Sequence, residues 1–195
     1  MKKICFATNN QHKLDEVRKQ LAGSEFDIVS LKEIGCFDEL PETQDTLEGN
    51  SLQKADFVFR KFGTACFADD TGLEVAALNG APGVHSAYYG GEQRSSDANI
   101  QLLLDNLHNE KNRAAQFRTI ITFIEPAGIH TFEGIVRGEI LTEKKGSQGF
   151  GYDRVFQPEG YNRSFAEMSI DEKNNLSHRG RAVAKFISFL LNRNW

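Results

Sequence analysis

The opening of the chain constrains its fold most. An apolar run, Ile4-Cys5-Phe6-Ala7, passes through the polar cluster Thr8-Asn9-Asn10-Gln11-His12-Lys13 into Leu14, Val17 and Leu21 at helical spacing. That order predicts a short buried strand, a turn of small and amide side chains, and an amphipathic helix. Such a turn aims backbone N–H groups and the positive end of a helix at whatever lies above it, which suits an anion, most often a phosphate.

The rest of the chain supplies both helices and strands. Phe26 to Leu31 alternates as a second strand, and residues 32 to 46 read as an acidic loop carrying Gly35 and Pro41. Leu52, Ala55, Val58, Phe59 and Phe62 predict a helix from Leu47 to Phe62, stopped near Gly63. Thr64 to Ala68 reads as a strand that gives way to a turn at Asp69-Asp70-Thr71-Gly72-Leu73. Gly80 to Gly91 reads as an ordered loop, and Ser96 or Asp97 as the cap of a helix carrying Ile100, Leu103, Leu104 and Leu107. Phe117 to Ile124 and Ile129 to Val136 predict an antiparallel pair about Pro126-Ala127-Gly128, with a further strand near Gly138 to Leu141. Gly146 to Asp153 is a glycine-spaced loop before Val155-Phe156. A last helix holds Val183, Phe186, Ile187, Leu190 and Leu191. Helices at both ends with strands between them predict an α/β protein with a mixed sheet, residues 1–195 forming a single domain.

Composition closes off several classes. A formal net charge of −4 gives no bulk basicity to recommend a nucleic-acid partner, so phosphate-binding cations must be gathered locally. The three cysteines, Cys5, Cys36 and Cys66, show neither metal-knuckle nor disulfide-framework spacing. Cys5 and Cys66 lie in apolar runs and read as small buried thiols. There is no apolar run of membrane-spanning length and no signal-peptide core near the start, so a reducing cytoplasm is the expected compartment. His85, His108 and His130 lack ligand spacing and read as structural or surface residues. No GxSxG elbow or GxxxxGK[ST] loop is present, which disfavours serine hydrolases and P-loop enzymes.

Four further clusters can carry chemistry. Asp69-Asp70-Thr71-Gly72 puts two carboxylates where a buried strand ends. Neighbours in a strand face opposite ways, so one acid can face a site while the other braces the chain. Carboxylate oxygens suit Mg²⁺, which takes one or two protein carboxylates together with phosphate oxygens and water; the same residues would also close an Asx-type turn. Pro41-Glu42-Thr43 offers a second ligand, although Glu39, Asp45 and Glu48 are equally acidic. In Ser147-Gln148-Gly149-Phe150-Gly151-Tyr152-Asp153, glycines permit close approach to a ligand. An aromatic ring there offers a stacking face for a base or a core anchor for a hairpin, stacking being worth roughly 1–3 kcal/mol per base in single-strand binders. Lys173-Asn174-Asn175-Leu176-Ser177-His178-Arg179-Gly180-Arg181 ends with Ser177 capping the last helix. His178 and Arg179 then lie in its first turn, where cations oppose the helix dipole unless they grip an anion or carbonyl. Lys13, Lys54 and Lys173 are the phosphate candidates, and Arg179 can fork onto a phosphate or a purine edge.

Together these segments resemble the Ham1-like family of inosine triphosphate pyrophosphatases. The family pattern is T-G-N-x-x-K, an acidic loop, D-[ST]-G-L, A-P-G-[IV]-x-S-A, F-G-[YW]-D and S-H-R-G. Here it reads Thr8 to Lys13, Pro41-Glu42-Thr43, Asp70 to Leu73, Ala81 to Ala87, Phe150 to Asp153 and Ser177 to Gly180. One departure is Asn9, where the family usually has glycine; Asn tolerates left-handed backbone angles better than most residues. The resemblance implies a long mixed central sheet with flanking helices and two lobes with the active cleft between them. It implies Mg²⁺-dependent hydrolysis of purine nucleoside triphosphates bearing hypoxanthine or xanthine to monophosphate and pyrophosphate, and a homodimer, to which the loop near Tyr88-Tyr89 can contribute. It further implies Asp70 as proton acceptor and metal-site residue and Glu42 as metal ligand. Thr8, Asn9, Asn10, Gln11, His12, Lys13, Lys54, Thr71 and Lys173 would line the triphosphate and base, and Phe150, Gly151, Tyr152, Asp153, His178 and Arg179 would hold the base. Two rivals stand beside it. A Maf-like pyrophosphatase for modified pyrimidine nucleotides is disfavoured by the lack of a basic, serine-rich N-terminal motif, and a non-catalytic nucleotide sensor by the presence of Asp70 with the lysines.

Overall fold

The computed structural model describes residues 1–169, 172, 173 and 176–193. Asn174 and Asn175, which fall in the last polar cluster, lie outside the described residues. Strands β1 (Lys2–Phe6), β2 (Phe26–Ser30), β3 (Cys66–Val75), β4 (Pro82–Gly83), β5 (Ala114–Glu125), β6 (Gly128–Ile140) and β7 (Phe156–Pro158) alternate with helices α1 (Gln11–Gln20), α2 (Leu47–Phe62), α3 (Ser96–Asn106) and α4 (His178–Leu191). The sheet runs β2-β1-β3-β5-β6-β7, with β4 also paired to β3. It is mixed, as expected: β1 lies parallel to β2 and β3, with Ile4 opposite Ile28 and Cys5 opposite Cys66, whereas β4 and β7 pair antiparallel with β3 and β6.

The chain divides into two compact units, one of Met1–Asp70, Ile120–Glu133 and Ala182–Trp195, the other of Thr71–Thr119 and Gly134–Arg181. The core of the first is aromatic and aliphatic. Phe6 stacks on Phe67 at 4.2 Å, Phe67 meets Phe186 at 4.5 Å, and Leu14, Val17, Ile28, Ile121 and Val183 fill in around them. A second cluster holds Cys5, Cys66, Ala55 and Val58, and burial pushes both of those thiols up to about 12, which leaves them unreactive as thiolates. The second unit packs Phe117, Phe156 and Phe165 against Leu73, Ile100, Leu103 and Val136.

Local chemistry fixes the helix starts. Asn10 caps α1 by accepting from the Lys13 N–H at 3.2 Å, and Thr46 caps α2 by accepting from Gly49. Gly63 ends α2 at φ 62°, a left-handed angle that favours glycine. Four expectations need correction. The Asp69 to Leu73 segment is strand rather than turn: β3 runs through it, because β3 has sheet neighbours along its length and each acid has a lysine to meet, so tertiary pairing overrides the turn preference of Asp and Gly. Gly138 to Ile140 continues β6 instead of forming a new strand. Ser95, one residue earlier than expected, caps α3 through the Ala98 N–H. The Gly80 to Gly91 loop contributes β4, which pairs with β3. Asn9 is not among the residues with positive φ, so the turn makes no left-handed demand at that position.

Candidate functional site

In the first unit, two acid–lysine clusters stand on β3. Ser51 Oγ of α2 donates to the Ala68 carbonyl at 2.9 Å, fixing α2 against β3 one residue before the acids. Because α2 turns through just over one revolution in four residues, Asn50 and Lys54 share its buried face. Lys54 Nζ then reaches Asp70 at 3.0 Å and Glu42 at 2.5 Å. On the other side of β3, Lys13 Nζ from α1 contacts both oxygens of Asp69, at 2.9 and 2.7 Å. Neighbouring strand residues thus serve opposite partners, as alternation requires.

Electrostatics separates these groups. Burial pushes the Asp70 carboxyl above its ordinary range; Lys54 pulls it down, and Glu42 and Asp69 push it up again. Burial works against the Lys54 ammonium, but the charges of Asp70 and Glu42 outweigh it and the lysine holds its proton more tightly than usual. Asp70 is therefore readier than an ordinary aspartate to take a proton, and Lys54 is a fixed cation beside it.

The acidic loop is pinned where Glu42 needs it. Gln53 of α2 accepts from the Thr43 N–H at 2.9 Å and donates to the Thr43 hydroxyl at 2.8 Å, and Asn50 accepts from the Gln44 N–H at 2.9 Å. This selects Glu42 over Glu39, Asp45 and Glu48. Glu42 and Asp70 supply hard oxygen donors close enough to share one ammonium, a set that suits Mg²⁺ completed by phosphate oxygens and water. Among the described residues no group of three or more His, Cys, Asp or Glu side chains is arranged to hold a metal without such help.

At the start of α1, Thr8 Oγ1 accepts from the Asn10 N–H at 3.2 Å, Gln11 donates to Asp15 at 2.7 Å, and Asn9 and His12 are exposed. No acidic side chain occupies the first turn of α1, so the helix leaves its positive end without a charge of its own to meet it.

The second unit carries the other candidates. Phe150 is 71% exposed, which removes the core-anchor alternative, and the Lys173 ammonium lies 4.7 Å from its ring centroid. Asp153 is buried, ion-paired with Lys173, and accepts from the Phe150 N–H at 2.8 Å, so it closes the loop on itself. Tyr152 is buried and donates to the Ser86 carbonyl at 2.9 Å; its place is in the scaffold. The Gly151 N–H donates to Ser96 Oγ at 3.2 Å. Ser177 caps α4 through the Gly180 N–H at 3.0 Å, placing His178 and Arg179 in its first turn as expected. His178 is buried, stacked on Phe117 at 4.9 Å, with Nδ1 2.7 Å from Thr119 Oγ1, which lies 2.8 Å from Thr71 Oγ1. Gln53, Thr119 and Phe117 are not singled out by the sequence and carry no local signal there, whereas Asp69, the bracing member of the acid pair, is the one that meets Lys13.

Sheet order and helix placement define a mixed α/β protein whose polar clusters pair carboxylates with lysines, the chemistry of phosphates and divalent cations. The Ham1 family model matches residues 4–189, and the chain belongs to that family. A dITP/XTP pyrophosphatase of Porphyromonas gingivalis is 55% identical, the alignment covering 98% of each chain. One from Flavobacterium johnsoniae is 50% identical over 96% of this chain and 97% of its own. The solved Ham1 protein of Staphylococcus aureus is similar in fold, with a TM-score of 0.94 and 36% identity, covering 99% of this chain and all of that one. Among the described residues no helix is long and apolar enough to cross a membrane.

Proposed function

We propose that this chain hydrolyses deaminated purine nucleoside triphosphates, dITP and XTP among them, to the monophosphate and pyrophosphate, with Mg²⁺ as cofactor. The Glu42–Lys54–Asp70 cluster is the observation that carries the proposal, and relatives named dITP/XTP pyrophosphatase support the substrate class. Asp70, with its raised pKa, orients and deprotonates the water that attacks the α-phosphorus. Lys54 stays charged and steadies the negative charge that grows in the transition state. Lys13, with the Thr8 to Gln11 turn and His12 around it, holds the phosphates. Glu42 and Asp70 hold Mg²⁺, which when bound neutralises charge on the leaving pyrophosphate. One oxygen cannot bind the metal and accept a proton at once, so the two duties of Asp70 fall to different oxygens.

Phe150, clamped by Lys173 and Asp153, offers its exposed ring to the purine. His178 and Arg179 donate to its 6-oxo group, and the 6-amino group of adenine meets donors there with no acceptor to pair with. Leaving a buried polar group unpaired discriminates strongly. Three buried free thiols support a reducing compartment, the cytoplasm. A homodimer, the common state of the family, is part of the proposal and is checked by light scattering.

The test is pyrophosphate release from dITP, XTP, dTTP and dATP with and without Mg²⁺, alongside an Asp70→Asn variant. Release from dITP and XTP that needs both Mg²⁺ and Asp70 is expected. Equal rates on dATP and dITP would sink the base-selective part, and full turnover by Asp70→Asn would remove its role.

A further inference from the structure

Thr119 lies on β5 with its side chain fully buried between two polar partners, Thr71 Oγ1 at 2.8 Å and His178 Nδ1 at 2.7 Å. A threonine hydroxyl has a single proton. It can therefore donate to only one of these partners and must accept from the other, and this ties the proton positions of Thr71 and His178 together. If Thr119 donates to Nδ1, the neutral ring carries its proton on Nε2 and the Thr71 hydroxyl points into Thr119. If Thr119 donates to Thr71, the ring proton sits on Nδ1 and a neutral Nε2 is an acceptor. Stacking of the His178 ring on Phe117 at 4.9 Å and 25° fixes the ring plane, so the direction of the hydroxyl bond at Nδ1 is coupled to what the neutral ring carries on Nε2.

We propose that Thr119 is a positioning and specificity-determining residue that holds His178 with its proton on Nε2, so that the ring donates to a 6-oxo purine and refuses a 6-amino one. This rests on the assignment of His178 to the base. It adds a group that lies outside every motif and does not touch the ligand: Thr71→Thr119→His178 is a hydroxyl relay, each oxygen donating to the next.

Substituting Thr119→Val keeps the shape of the buried side chain and removes the hydroxyl, and Thr119→Ser keeps the hydroxyl and loses a methyl. The protein, labelled at its histidine ring nitrogens, is read by nitrogen NMR, with His178 assigned from a His178→Gln variant. The same proteins are assayed for kcat/KM on dITP and dATP. Expected are an Nε2–H ring in the wild type, loss of that fixed state in Thr119→Val, a fall of about tenfold in the dITP-over-dATP ratio, and recovery of both in Thr119→Ser. A wild-type ring protonated on Nδ1, or a Thr119→Val variant unchanged in ring state or in ratio, overturns the proposal. If the wild type releases no pyrophosphate from dITP, the functional assignment fails by itself, while the ring nitrogens and their response to Thr119→Val still decide the relay.

Discussion

Replacing Lys54 by methionine deletes one charge while keeping most of the apolar stem, and the structure says how much that should cost. Lys54 has two carboxylate partners, but they are not equal. The Glu42 side chain is 47% exposed, so water screens that pair and its share is no more than about 1 kcal/mol. Asp70 is 15% and Lys54 7% exposed, and removing one partner from a buried pair costs ~3–5 kcal/mol because the other charge is left uncompensated. Residual water at Asp70 places the expected loss for Lys54→Met near the lower end, about 3 kcal/mol. Adding Asp70→Asn removes the stranded charge, so the double variant should recover much of it, a coupling of ~2 kcal/mol between neighbours. Urea unfolding of the four proteins at neutral pH, followed by circular dichroism, measures the cycle. A loss below about 1 kcal/mol for Lys54→Met, or losses that simply add, would refute the claim that Lys54 serves chiefly to compensate Asp70.

The same pair sets a pH dependence with a definite sign. The folded Asp70 carboxyl, pushed up by burial against the pull of Lys54, keeps its proton to a higher pH than the unfolded chain, whose value is near 3.8. The folded state therefore binds more protons in that window, and stability falls as pH rises from 3.8 through the folded value. Asp70→Asn should abolish that slope. At the alkaline end, burial lowers Lys54 but Asp70 and Glu42 raise it further. Its contribution is complete below 10.5 and lost as pH climbs through the higher folded value. Urea midpoints of wild type and Asp70→Asn across pH check both signs.

Three further outcomes are expected. Phe150→Ala should raise KM for dITP on the order of tenfold, from a stacking loss of ~1–3 kcal/mol, and leave stability unchanged because the ring is exposed; an unchanged KM excludes a stacking role. Gly149 sits at φ 76° where an added Cβ collides with the Asp153 carboxylate, so Gly149→Ala should loosen the Lys173 clamp and lower kcat/KM on dITP in the same way as Lys173→Met. Gln53→Ala removes both bonds to Thr43 and should raise the Mg²⁺ needed for half-maximal activity roughly tenfold, as loss of a supporting partner does at metal sites; an unchanged Mg²⁺ requirement would show that Glu42 is placed without it.

Local signals in the sequence carried a good part of this. The strand–turn–helix opening, the helix from Leu47 to Phe62 with its terminal Gly63, and the cap at Ser177 are all written in neighbouring residues and appear as expected. What escaped depends on distant partners. Nothing near Asp69 announces that Lys13, 56 positions away, neutralises it, so a continuous strand looked like a turn. Glu42 could not be told from its acidic neighbours until Gln53 and Asn50 were seen holding Thr43 and Gln44. Thr119 resembled any β-branched strand residue, since its meaning lies in Thr71 and His178, which the fold brings to it. Within the glycine-spaced aromatic motif, the burial of Tyr152 and Asp153 beside an exposed Phe150 was not legible, because the motif does not say which members face inward.

The central claim is that water attacks the α-phosphorus of a deaminated purine nucleotide. Turnover of dITP in heavy-oxygen water, with the products separated and weighed by mass spectrometry, tests it most directly. One heavy oxygen in dIMP and none in pyrophosphate is the expected result. Heavy oxygen in pyrophosphate, or release of single phosphates in its place, would contradict it.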